Sequence, residues 1–164
     1  MATTNPETAT LNDRRDVALL LLRVAIGIVF LAHGAQTLFG AFGGQGIAET
    51  AQSMGELGLQ PGAFFAVLLG LAEFGGGLFL LVGLLTPLAG LAIAGVMTVA
   101  IITVTGPNGF FSQDQGYEFN MVLIAVALAL AITGPGRLSL DQRLGLDLIA
   151  RVANNRRHRR KADR

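Results

Sequence analysis

Four runs of this 164-residue chain are apolar for long enough to cross a lipid bilayer, and that leaves few folds open to it. Val17 to Leu38 and Phe64 to Leu85 each supply 22 residues, Leu88 to Thr105 supplies 18, and Tyr117 to Thr133 supplies 17. A hydrocarbon core of about 30 Å asks for about 20. Lipid offers no hydrogen bonds, so a lone run of this length must satisfy its own backbone as a helix. The runs are apolar nearly all round rather than striped, which suits lipid better than a water-facing surface. Charged residues make up only 14% of the chain and mean hydropathy is +0.57, whereas soluble domains are about 25% charged. The expected fold is all-α: one integral membrane four-helix bundle with spans at about 17–38, 64–85, 88–105 and 117–133. A short segment, 1–16, precedes it, and an amphipathic helix with a basic tail, 137–164, follows.

The basic residues orient the bundle. Arg14 and Arg15 precede the first run and nine Lys or Arg follow the last, whereas the loops 39–63 and 106–116 contain none. The positive-inside rule then puts both termini in the cytoplasm, consistent with four crossings. A secretory signal is the rival for the first run, and Arg23 in its middle argues against that. Thr86 and Pro87 read as N-cap and first residue of the third helix. Gly46 to Leu57 carries Ile47, Ala51, Met54 and Leu57 near helical spacing, which predicts a short interfacial helix in the first outer loop. Ser139-Leu140-Asp141-Gln142 has the capping-box form, and Leu140, Leu144, Leu148 and Val152 predict an amphipathic helix along the cytoplasmic surface. The Arg-rich end is explained by orientation and attraction to anionic lipid; nucleic acid is not an expected partner.

Ionisable residues at membrane depth are costly and mark the places to look for function. Three stand away from the ends of these runs: Arg23, His33 and Glu73. Glu73 falls near the bilayer midplane and Arg23 about 6 Å toward the cytoplasm, within reach of an arginine side chain. A buried ion pair between them would either lock two helices together or poise a carboxylate for proton or ligand chemistry. Gly75-Gly76-Gly77 follows at once, suiting tight helix packing or a slot for a flat ring at Gly76. Nearer the outer surface, His33, Gln36, Glu118 and Asn120 share a depth of about 9–13 Å from the midplane. Most of the phenylalanines crowd the same boundary, as an interfacial belt or as the walls of a pocket for a planar redox-active head group such as a quinone.

Much chemistry is excluded. The chain has no cysteine, so it offers no disulfide, thiolate or iron–sulfur ligand of its own. His33 and His158 fall on opposite sides of the membrane, which leaves too few ligands for haem or a metal site. No phosphate-cradling glycine motif stands between a strand and a helix. Ala66 with Gly70, Ala72 with Gly76 and Gly90 with Ala94 are small-residue pairs suited to internal packing or to a homo-oligomer.

The stretches RVAIGIVFLAHGAQTLFG and LAEFGGGLFLLVGLLTPLAG, followed by GPGRLSLD, resemble the DoxX family of small four-helix bacterial membrane proteins over roughly Leu20 to Asp141. The resemblance implies a bacterial plasma-membrane location and a link to oxidoreductase assemblies. Relatives serve as a subunit of a thiosulfate:quinone oxidoreductase and as a membrane partner of a superoxide dismutase and a sulfurtransferase. The expected role is therefore a membrane subunit or anchor of a redox assembly that binds quinone, rather than a self-sufficient enzyme. The alternative is a small-solute or proton-coupled transporter using the same buried charges.

Overall fold

The computed structural model describes residues 6–146, with side chains from residue 13 onward. Those residues are helical with no strand. The elements are α1 (Pro6–Phe39), α2 (Gly46–Glu56), α3 (Gly62–Val82), α4 (Thr86–Ala100), α5 (Glu118–Thr133) and the single turn α6 (Leu140–Arg143). A π-helical turn, Ile101–Thr105, prolongs α4. Three helical stretches are long and apolar enough to cross a membrane: Asp13–Phe39, Gly62–Val82 and Thr86–Asn108. Only about a third of each is buried inside the chain, so most of their apolar surface faces outward, as lipid requires. The sixteen residues of α5 are equally apolar but rise only about 24 Å, short of a full hydrocarbon core.

The chain runs α1 antiparallel to α3, then α4 back along α3, then α5 antiparallel to α4. Glycines decide how closely the first pair approaches. A Cβ on Gly34 would lie 2.2 Å from the Phe74 backbone nitrogen, and one on Gly77 would lie 2.4 Å from that of Leu31. The two backbones therefore touch along a seam that no larger residue fits. The triple glycine divides its work: Gly77 meets α1, Gly76 faces Ile93 of α4, and Gly75 has open space. Gly90 in turn brings α4 onto Ala127 and Ala131 of α5. The small-residue pairs are thus largely used inside the chain: Ala66, Gly70, Gly76, Gly90 and Ala94 are all buried.

The ends of the helices show where sequence reading and structure part. α3 stops at Gly83, left-handed at φ 70°, with Leu84 N–H donating to the Phe79 carbonyl at 2.8 Å, a Schellman close. Thr86 is not the N-cap of α4. Leu85 holds that place, and the buried Thr86 hydroxyl has no hydrogen-bond partner. The cap comes instead from Asp141, whose two carboxylate oxygens accept from the Leu85 and Thr86 N–H groups at 2.9 and 3.2 Å. Ser139 accepts from Gln142 N–H as the capping box predicts, yet the helix it opens lasts one turn. Gly145 at φ 64° ends it, and Leu146 N–H returns to the Asp141 carbonyl at 2.8 Å. Leu148, Val152 and the basic tail lie outside the described residues.

Candidate ligand-binding cavity

A cavity of about 430 Å³ opens between α3 and α4 toward the α2 end of the bundle. Leu68, Leu69 and Ala72 of α3 face Ala92, Val96 and Ala100 of α4 across it; Met54 of α2 and Phe65 also contribute, as do Thr103 and Val104 of the π-turn. Leu68, Val99 and Val104 at its rim are themselves exposed on the apolar outer surface. The mouth therefore opens on the apolar outer surface that lipid covers. The π-turn carries Thr103 and Val104 into the lining, and the Thr105 hydroxyl lies 3.5 Å from the carbonyl of Ala100, five residues back.

Glu73 is the only ionisable residue in that lining. It is 7% exposed, on the face of α3 that also meets α1, and its Oε2 accepts a hydrogen bond from the Thr37 hydroxyl at 3.0 Å. His33, one helical turn before Thr37, interacts electrostatically with the same carboxyl group. Its Nδ1 lies 2.8 Å from the Val29 carbonyl and donates there. Glu73 is thus shared between an α1 polar face and an apolar chamber.

Arg23 does not pair with Glu73. Its guanidinium is wholly buried at the opposite end of the bundle, where Nη2 donates to the Leu138 carbonyl at 2.5 Å and Asp141 supplies the nearby negative charge. A Cβ on Gly83 would occupy the place of Arg23 Nη1, so the α3–α4 turn admits the arginine only because residue 83 is glycine. Asp16 joins the same end, accepting from Arg137 N–H at 3.0 Å and facing its side chain at 3.4 Å. The segment after α5 therefore threads beneath α1, α3 and α4 and fastens all three. Asp16, Ser139 and Asp141 carry this clasp; the resemblance motif GPGRLSLD contained two of them, but nothing local in it says that the carboxylate caps a helix 55 residues upstream.

The outer constellation is also divided. Gln36 is covered by the turn at Gly44, Glu118 accepts from the Ser112 hydroxyl and, at 2.7 Å, from the Ser112 N–H, and Asn120 donates to the Met97 sulfur at 3.5 Å. Among the described residues none of His33, Gln36, Glu118 and Asn120 hydrogen-bonds to another. Glu118 organises its own loop, and Asn120 touches the cavity only through Met97, which lines it. Gly76 offers no slot, because Ile93 Cγ1 would stand 3.2 Å from a Cβ there. The aromatic residues at this end pair edge to face, Phe39 with Phe74 and Phe110 with Tyr117, as an interfacial girdle rather than a stacked pocket. Thr37 is the functional neighbour that sequence reading missed; its one signal was a lone hydroxyl one turn after His33.

Span-length helices whose outward faces are apolar, closing on a chamber that opens to lipid, define a polytopic helical membrane protein. Comparison with known proteins makes that more specific: the DoxX family model matches residues 18–106, and the chain belongs to the DoxX family. It is 34% identical over 131 residues to a Bacillus subtilis protein named "Putative oxidoreductase CatD", covering 80% of this chain and 90% of that one. It is 35% identical over 129 residues to the inner membrane protein YqjF of Escherichia coli, covering 79% and 93% of the two chains. An uncharacterized membrane protein of Mycobacterium tuberculosis, Rv3486, is 29% identical over 138 residues, covering 77% and 81%. No solved structure matches.

Proposed function

We propose that this chain is a membrane subunit or anchor of an oxidoreductase assembly in the bacterial plasma membrane, with both termini cytoplasmic, and that its α3–α4 cavity receives the ring of a quinone-class lipid. One observation carries this reading: a single carboxyl group, Glu73, lines a chamber open to the bilayer that is otherwise apolar but for Thr103, whose hydroxyl donates to the Val99 carbonyl. A quinone has the matching anatomy, with an apolar tail that stays in lipid and ring oxygens that need a hydrogen-bonding group. The volume suits it, since small-molecule sites run from about 300 to 1,000 Å³. Phe65 and Met54 at the rim offer an aromatic face and an adaptable thioether to a ring passing inward.

Electrons come from elsewhere, because a chain without cysteine brings no thiol couple to the site. A soluble redox enzyme, of the superoxide dismutase or sulfurtransferase type implied by the family resemblance, is the partner that fits. The name of the Bacillus subtilis relative points the same way for that protein. Glu73 holds the ring oxygen, and His33, exposed on α1, offers Glu73 a proton-exchange partner on the outer side.

The test is binding of a short-chain benzoquinone to the purified protein in lipid nanodiscs, with Glu73→Leu and the exposed Glu56→Gln compared. Wild type and Glu56→Gln should bind alike, and Glu73→Leu, which has no group to donate to a ring carbonyl, should lose about tenfold, the scale of one hydrogen bond. Equal binding by Glu73→Leu refutes the site. Mass spectrometry of the complex drawn from native membranes in mild detergent should recover a soluble redox enzyme. Flux in proteoliposomes driven by a proton gradient, with no quinone bound, would replace this reading with transport.

A further inference from the structure

Helical threonines in an apolar setting return their hydroxyl to a carbonyl of their own helix, because no water is there to take it. Thr50, Thr98, Thr103 and Thr133 do so, each donating to the carbonyl four residues back at 2.7–2.9 Å. Thr37 does not. Its hydroxyl crosses to α3 and donates to Glu73 Oε2 at 3.0 Å. The exchange gives up a local, nearly strain-free bond for one that requires two helices to stand at a set distance.

That distance is built in. The Thr37–Glu73 bond lies within the glycine seam, with Gly34 against the Phe74 backbone on one side and Gly70 against Leu38 on the other. A Cβ on Gly70 would also come within 3.2 Å of Thr37 Cγ2, so the threonine is held from the methyl side as well. Glu73 Oε1 has no hydrogen-bond partner among the described residues, and it is not among the sealed polar atoms of the structure. The carboxyl group thus has one oxygen committed to α1 and one left for the cavity that Glu73 lines.

We infer that Thr37 is a positioning residue for the cavity ligand: by occupying Oε2 it fixes the carboxyl plane and reserves Oε1 as the one carboxyl contact for a ring oxygen. This rests on the quinone reading above and adds to it a chemical preference. With the Thr37 hydroxyl donating to Oε2, a proton on the carboxyl group sits on Oε1, facing the ligand. The site therefore matches one ring oxygen at a time, accepting from a ring hydroxyl or donating to a ring carbonyl through the same atom. A ring with its oxygens replaced by methyl groups has nothing to offer Oε1.

The experiment uses the full chain in nanodiscs, with Thr37→Val and Thr37→Ser measured for binding of the short-chain benzoquinone and of its oxygen-free methyl analogue. Thr37→Val keeps the shape and removes the donor; Thr37→Ser keeps the donor. The infrared band of the Glu73 carboxyl group, assigned by its loss in Glu73→Gln, is the second readout, since a merely structural threonine would leave it unmoved. The expected result is about tenfold weaker benzoquinone binding in Thr37→Val with a shifted carboxyl band, recovery of both in Thr37→Ser, and weak binding of the methyl analogue throughout. Wild-type binding in Thr37→Val with an unshifted band overturns the inference alone. Absence of benzoquinone binding in the wild type overturns the quinone reading and the ligand role of Thr37 with it.

Discussion

Replacing Asp141 with alanine should weaken the whole bundle, although the residue sits beyond the last apolar helix. Its carboxylate is 2% exposed and accepts from the Leu85 and Thr86 N–H groups, two of the donors that the start of α4 cannot satisfy within itself. Its own N–H donates to the Gly83 carbonyl at 2.9 Å, which ties the segment to the α3–α4 turn. Alanine keeps that backbone bond and removes the other two. Loss of an N-cap costs about 0.5–2 kcal/mol. Leaving a buried donor unpartnered costs about 1–3 kcal/mol. Since the two bonds share one carboxylate and do not add fully, about 3 kcal/mol is the expected total. Arg23 also loses the negative charge nearest to it, which acts in the same direction. For a chain of this size that is a fall of about 6–12 °C in Tm. The assay is thermal unfolding in a single detergent, followed by circular dichroism and by the monodisperse fraction on gel filtration. Asp141→Asn, which keeps one acceptor oxygen, should fall between, and the exposed Asp114→Ala should match wild type. If Asp141→Ala melts within about 1 °C of wild type, a shift that corresponds to under 0.5 kcal/mol, the segment after α5 does not cap α4 and the clasp is wrong.

The separation of Arg23 from Glu73 is testable in the same assay: the stability effects of Arg23→Met and Glu73→Gln should add to within about 0.5 kcal/mol, and a larger coupling would restore the ion pair. Gly34→Ala, whose Cβ would stand 2.2 Å from backbone, should cost about 3 kcal/mol or more or fail to assemble, while Gly75→Ala meets nothing within 4 Å and should be neutral or slightly stabilising in Tm. A destabilised Gly75→Ala would mean that the open side of α3 is packed against something else in the membrane.

The apolar runs were legible because a bilayer imposes length and hydrophobicity directly on the residues that cross it. The interfacial helix, now α2 at Gly46–Glu56, was legible for a similar reason, since its spacing is a one-dimensional record of a local geometry. Arg23 and Glu73 are both buried, as their place inside apolar runs suggests, but they do not meet. Depth is read from the middle of each apolar run, and the glycine seam sets a different register: Gly34 meets Phe74 and Gly77 meets Leu31, which leaves Arg23 about twelve residues, or about 18 Å, along α1 from the level of Glu73. For His33, Gln36, Glu118 and Asn120 the direction of each side chain decided, and each meets a different neighbour.

Length and hydropathy are properties of the chain read in order, and they alone determined that this protein is a helical membrane protein. Which oxygen meets which donor was decided by tertiary structure. The cap on α4 comes from a residue 55 positions away, and the partner of Glu73 lies 36 positions before it. Such bonds depend on where separately formed helices come to rest, and short-range sequence pattern carries no information about that. The cavity is of the same kind, for it is the space that α3, α4 and the π-turn leave when glycines draw α3 toward α1.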